Sequence, residues 1–396
     1  MRKLNSLIIA VCVFFLITGV VSIERVTGQT QTKLPQSLRI WTYGTASASY
    51  YACMGMAPTI QKITGMTVRV LPAGTDPARF AALKKGEGDM VLISDSSYWS
   101  ASRGYLDYAN PEWGPQKLRL VYGGQIFNMG VMTTADSGIK AMSDIKGKKF
   151  PYVPGNPSGN LFNGAFLAFG GLTWDDVRII RLGSWDDAMR SVVRGQCDAA
   201  GTTFTTAACT ETAAGPRGIY LIPMPFTDKQ AWARLKAVMP FARPHLNTRG
   251  PGLSSQRTHE GTGYRNPFAS YDSLPDDVAY AFAKAAYNGY EEFKDKFVDL
   301  KDFSPDCVVE NITDYVLPLH PGSIRFFKEI GKWTDKAQKW QEERLLIEKE
   351  LERLWVEAPS AAVTKGIKLG DKSWPEFWEA FSKEKMGKLK LVYAFF

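Results

Sequence analysis

Residues 38–71 read LRIWTYGTASASYYACMGMAPTIQKITGMTVRVL. An apolar run, LRIWTY at 38–43, leads into a loop of glycine and small hydroxyl residues. Helical spacing follows over 49–63, and TVRVL at 67–71 is a second apolar run. Strand, loop, helix, strand is the unit of a parallel sheet, because parallel neighbours need a crossover long enough to hold a helix. The rhythm continues outward. Strands are expected at 90–94, 118–123, 130–134, 150–153, 177–182 and 199–204, with helices at 77–85, 161–169 and 185–193. Short buried strands alternating with helices of about ten residues predict sheets covered on both faces. The pattern restarts near Asp144, where Lys146-Gly147-Lys148 turns into a fresh strand. The fold class expected is α/β with two lobes.

The second half is less regular. Residues 241–271 are rich in proline and glycine and read as a long loop or arm. A helix is expected over 275–297, capped by Ser273 with Asp276 and Asp277 in its first turn. Beyond Gly331, Trp333, Ala337, Trp340, Ile347, Leu351 and Leu354 share one face of another helix. That stripe packs either on the body or on a partner, a second copy of the chain being one candidate.

The whole chain has 396 residues, 45% of them hydrophobic and 22% charged, which suits two domains and excludes a disordered or fibrous chain. Its net charge of +8 is spread thinly, with no module that concentrates it, so a nucleic-acid role is not indicated. No repeat of fixed period runs through it, which excludes solenoids and propellers. At the start, Arg2 and Lys3 precede an uncharged run over 7–21 that closes at Ser22 and Glu24. Charge, a short apolar run and small residues make a secretory signal peptide, assigned to residues 1–28; the run is short for a membrane anchor. Removal of that segment takes Cys12 and leaves Cys53, Cys197, Cys209 and Cys307. An exported protein is free to pair these, and buried thiols are the other reading, so their state stays open.

Two loops have the make-up of anion seats. Tyr43-Gly44-Thr45-Ala46-Ser47-Ala48-Ser49-Tyr50-Tyr51 follows the first strand, and Gly155-Asn156-Pro157-Ser158-Gly159-Asn160 follows the strand at 150–153. Each places hydroxyl and backbone donors at the positive end of a helix, one per lobe. Neither is a nucleotide loop, since GxGxxG and GxxxxGK[ST] are both missing, and no cofactor is expected. No G-x-S-x-G elbow and no H-E-x-x-H occurs, so no catalytic or metal-ligating residues are expected. His320, before Pro321-Gly322, reads as structural. Asp175-Asp176 and Asp186-Asp187 read as helix-start acids.

These motifs, taken in order, resemble the TAXI group of extracytoplasmic receptors that serve TRAP-type secondary transporters. The group's first loop, T-G-S-x-G-G-x-Y-Y, is matched by residues 43–51, and its G-E-x-D and S-D by Gly86-Glu87-Gly88-Asp89 and Ser94-Asp95. Asp144-Ile145-Lys146-Gly147-Lys148 matches D-L-K-G-K, Pro157-Ser158-Gly159-Asn160 stands for G-S-G-T, and Gly195-Gln196-Cys197-Asp198-Ala199 matches G-x-x-D-A. His320-Pro321-Gly322-Ser323 matches H-P-G-A. Departures are Ser47 and Ala48 in place of two glycines, Arg79 in place of an asparagine, and Pro157 in place of a glycine.

The resemblance implies a two-lobed, type II periplasmic-binding fold with a hinged cleft. It places lobe I at 33–133 and 250–332, lobe II at 134–249 and crossings near 133–136 and 240–251; it does not account for residues 333–396, which are expected as a C-terminal helical extension. It implies ligand contacts at Thr45, Ser47, Tyr50, Ser94, Ser158, Gly159, Asn160, Thr202 and Thr203; Arg79, where the group has asparagine, reads either as a carboxylate partner or as a solvated helix arginine. The implied ligand is a small anionic organic solute, a carboxylate or acidic amino acid, delivered to membrane permease subunits. The implied place is the periplasm. A sensing domain for a membrane kinase, or an enzyme on the same frame, is the alternative.

Overall fold

The computed structural model describes residues 34–124 and 126–388. The signal segment with Cys12, and residues 389–396, lie outside the described residues.

The chain opens with β1 (Ser37–Thr42), α1 (Ala48–Thr64), β2 (Thr67–Pro72), α2 (Asp76–Lys84), β3 (Met90–Leu92), α3 (Asp95–Arg103) and β4 (Leu118–Tyr122). It then crosses into β5 (Ile126–Thr134) and repeats the order: β6 (Lys149–Tyr152), α4 (Pro157–Phe169), β7 (Arg178–Arg181), α5 (Trp185–Val193) and β8 (Ala199–Thr203). After α6 (Ala207–Ala214), β9 (Ile219–Ile222) and α7 (Lys229–Val238), the strands β10 (Arg243–Asn247) and β11 (His259–Arg265) form an antiparallel pair. The return strand β12 (Phe268–Tyr271) precedes α8 (Asp276–Asn288), α9 (Tyr290–Phe293), α10 (Pro305–Glu310) and α11 (Pro321–Glu329), and α12 (Asp335–Val363) and α13 (Trp374–Lys388) complete the chain's described part.

The first sheet has the order β2-β1-β3-β12-β4. Its first three strands are parallel, while β12 runs antiparallel between β3 and β4. The second lobe resembles it in part, with a two-stranded sheet of β6 and β7 beside a sheet in the order β10-β11-β5-β8 in which β9 also pairs with β5. β6 and β7 are parallel, and β5, like β12, is the crossing strand and runs antiparallel to β8. Each lobe thus takes in the strand that first follows a crossing, β12 in one and β5 in the other, which is the two-lobed α/β arrangement expected from the sequence, with type II connectivity.

The G-x-x-D motifs explain themselves in this frame. Asp89 accepts from Arg39 N–H at 2.7 Å and donates its own N–H to Arg39 O at 2.9 Å. Asp198 makes the same two bonds with Lys149, at 2.7 and 2.9 Å. One carboxylate per lobe ties its central strands together, using a backbone donor that the ladder leaves spare.

Several expectations need correction. The first crossing falls between β4 and β5, because β5 pairs with β8 over Met129–Thr133 and therefore belongs with the second sheet. The return falls at 266–267, since β11 pairs with β5. Residues 241–271 are three strands rather than an arm. Pro244 hid β10 from a pattern reading, and the strand tolerates it because it is at the sheet's edge. The helix expected over 275–297 breaks at Gly289, and its N-cap is Pro275, not Ser273.

The stripe on α12 packs on the chain's own body. Ala337, Trp340, Ile347, Leu351 and Leu354 are buried, Trp333 half-buried. Arg119 on β4 donates twice to Glu348, at 2.6 and 2.8 Å, and Gln341 bonds both the N–H and the C=O of Leu319. The α13 helix adds Trp378, whose indole donates to Arg103 O at 3.0 Å. His320 is structural: its buried ring accepts from Gly322 N–H and caps α11, and Ser323 Oγ donates to Val121 O at 2.6 Å. Cys53, Cys197, Cys209 and Cys307 are all free thiols. No described helix is long and apolar enough to cross a membrane.

Asp95, in the first turn of α3, is buried, and burial pushes its carboxyl up to about 7, against the pull of Arg265 and Arg243. A carboxyl whose folded pKa is raised gives stability that is full below its unfolded pKa and lost as pH rises through the folded one. Asp95→Asn should therefore raise the melting temperature at pH 8 relative to wild type, by a few degrees, and change it little at about pH 3.5, below the ordinary carboxyl value of 3.8. Equal shifts at the two pH values would contradict this.

Candidate functional site

β1 and β6 each end in a loop that feeds a helix, so the N-termini of α1 and α4 stand at equivalent places in the two lobes. Ser47 caps α1, its Oγ accepting from Tyr50 N–H at 3.1 Å. Asn156 caps α4, its Oδ1 accepting from Gly159 N–H at 3.4 Å. Between these ends lies a cavity of about 20 Å3, room for about one water. Its walls are hydroxyls (Ser47, Ser49, Ser158, Thr203, Thr206), two phenols (Tyr43, Tyr264) and apolar groups (Ala48, Met129, Phe162, Trp185, Met189), with Gly159 completing them. None of these lining residues carries a charge.

The charges stand just behind, and they cross the cleft. Asp76, in the first turn of α2, gives one oxygen to Arg79 Nη2 at 2.7 Å. Its other oxygen accepts from Ser158 Oγ–H and, at 3.3 Å, from Ser158 N–H at the start of α4. Asp186, in the first turn of α5, reaches the opposite way and accepts from Ala46 N–H, just before α1, at 3.4 Å. Each lobe thus lends a carboxylate to the other lobe's helix N-terminus, where the backbone donors and the dipole favour negative charge. Burial pushes the Asp186 carboxyl up, with Ala46 N–H, Arg190 and Arg79 pulling it back.

The sequence-predicted residues divide accordingly. Ser47, Ser158, Gly159 and Thr203 line the cavity. Gly159 lies so close to Trp185 that a Cβ there would stand 2.6 Å from the ring. Thr203 shares a 2.8 Å hydrogen bond with Tyr264. The other six do not line it. Thr45 is exposed on the loop, and Tyr50 is half-buried on the side of α1 that faces Val68 and Val70 of β2. Ser94 is one layer back, accepting from Tyr43 O–H at 3.1 Å. Asn160 has both amide atoms engaged by the Val153 backbone. Thr202 faces Met189 and Thr206. Arg79 is neither solvated nor free for a ligand: it is fully buried, lies 4.2 Å over the Tyr43 ring and is paired with Asp76.

Asp76, Trp185 and Asp186 were missed as site residues. A signal did exist: Thr75-Asp76 and Ser184-Trp185-Asp186 occupy equivalent places after β2 and β7 in the two halves. Met129 and Tyr264 sit on β5 and β11, near the crossings, and no local motif marks them. Among the described residues no group of His, Cys, Asp or Glu is gathered to hold a metal ion.

A family model matches residues 41–331, which take in both helix N-termini, both G-x-x-D ties and the His320 turn. The chain belongs to the NMT1-like family. No curated protein matches the sequence. Among solved structures, this NMT1-like chain is similar to one from Bordetella bronchiseptica RB50, at 17% identity, covering 75% of this chain and 98% of that one, with a TM-score of 0.46. It is also similar to PhnD1 from Prochlorococcus marinus with methylphosphonate, at 11% identity, 76% and 100% coverage and a TM-score of 0.43. A third is the periplasmic aliphatic sulphonate binding protein SsuA from Escherichia coli, at 15% identity, 79% and 94% coverage and a TM-score of 0.42. The fold of this NMT1-like protein follows from its strand order and its two crossings.

Proposed function

We propose that this NMT1-like protein is an exported, non-enzymatic solute receptor that closes its two lobes over a small anionic organic solute, a carboxylate or acidic amino acid. It delivers that solute to the membrane permease subunits of a TRAP-type transporter, working in the periplasm. The observation that carries the reading is the pair of helix N-termini facing one cleft, each already seating a carboxylate from across it. Two such seats around an uncharged cavity suit an acid held from both sides, and no acid–base pair lines the walls to do chemistry on it. The six ordered motifs support the TAXI and TRAP assignment. Closure follows from contacts made to both lobes at once, which only the closed form offers.

Calorimetry with L-glutamate and succinate tests this. Ser158→Ala should weaken the acid by about tenfold or more, the lower end of the 1.5–3 kcal/mol typical of a hydrogen bond to a charged group. The lower end applies because the same hydroxyl also serves Asp76. Tyr50→Phe should bind like wild type, since Tyr50 does not line the cavity. Unchanged affinity in Ser158→Ala would remove the seat from the site.

A further inference from the structure

We propose that Asp76 makes the cleft selective for acids, by holding the seat at the N-terminus of α4 until a solute carboxylate takes it over. The proposal rests on the receptor reading above and names the residue that sets its substrate class.

Asp76 is fully buried and belongs to the first lobe, yet one of its oxygens is bound by Ser158 of the second. It therefore stands where the carboxylate of a solute would stand. The cavity beside it holds about one water, so a solute cannot join this arrangement; it has to replace part of it. Hydrogen bonds to an ionised acceptor are about twice as strong as those to a neutral one. A neutral carbonyl offered to Ser158 is thus a poor exchange for the carboxylate it displaces, and a solute carboxylate is an even one.

The donors around Asp76 show where each group goes. Arg79 Nε is buried without a partner, beside the Nη2 that already holds Asp76. Once released by Ser158, Asp76 can turn into a two-pronged pairing with Arg79, its charge still neutralised. Asn156 Nδ2 is the second buried donor without a partner, and it lies against Gly159 in the cavity wall, 3.0 Å from where a Cβ would stand. It is placed to serve the incoming acid's other oxygen. Asp76 is then both a latch across the cleft and the competitor a solute must match.

The test has two arms, each with the full exported chain. In the first, solution scattering without solute compares wild type with Ser158→Ala, which leaves the Asp76–Arg79 pair intact, and with Asp76→Asn. Loss of the latch should shift both variants to a larger radius of gyration; wild-type dimensions in both overturn the proposal. In the second, calorimetry compares succinate with its neutral diamide. Asp76→Asn should bind the diamide at least about tenfold more tightly than wild type does, narrowing the preference for succinate. No gain for the diamide, or a preference for succinate as wide as in wild type, overturns it. If the gain is missing while wild type still closes on an acid, only Asp76 loses its role. If wild type closes on no acid, the receptor reading fails by itself.

Discussion

Arg79→Asn should cost about 3–5 kcal/mol of folding stability, the range for removing one partner of a buried ion pair. Arg79 and Asp76 are both fully buried, and the guanidinium also donates to Ala73 O and lies over Tyr43. Asparagine is too short to reach those partners, so Asp76 would keep only Ser158 for its charge. Exposed ion pairs elsewhere in the chain, such as Lys62–Glu292, are worth about 1 kcal/mol or less by comparison. Thermal and denaturant unfolding of the variant read the difference. A loss no larger than that of Lys62→Asn would mean that Arg79 faces water.

Gly322→Ala should destabilise by about 3 kcal/mol, the upper end for overpacking. Here α11 crosses α8 so closely that a Cβ on Gly322 would stand 2.0 Å from the Asp276 carbonyl oxygen and 2.9 Å from Tyr280 N. Both neighbours are backbone and cannot rotate away, so the helices would have to separate. Separation would also pull Ser323 off Val121 and loosen the last strand of the first sheet. Thermal unfolding should show a melting temperature lowered by several degrees with solute affinity kept, because the contact is remote from the cleft. A variant as stable as wild type would contradict the close crossing.

The two predictions separate what the sequence made legible from what it did not. G-x-x-D, Asp144-Ile145-Lys146-Gly147-Lys148 and His320-Pro321-Gly322-Ser323 are local devices: a carboxylate that ties two strands, a turn, a helix seated on a helix. Local devices need fixed residue types at fixed spacing, so they show in one sequence, and the α/β rhythm between them gives the rest of the frame. The cleft is assembled differently. Ser47 and Ser158 were legible because capping is local. Arg79 was read as a free cation because its partner's burial, three residues away, depends on the other lobe closing over it. Tyr264 and Met129 reach the cavity because β5 lies before the first expected crossing and β11 after the second, so that both join the second sheet. Asp186 looked like any helix-start acid until the fold brought Ala46 to it.

The most direct measurement is a crystal structure of the protein saturated with an acid that calorimetry shows to bind. The account predicts the acid between the lobes, one carboxylate oxygen within hydrogen-bond distance of Ser158 N and Oγ, and Asp76 turned back onto Arg79. An acid bound outside the cleft, or a cleft with Asp76 still on Ser158 at saturation, would contradict it.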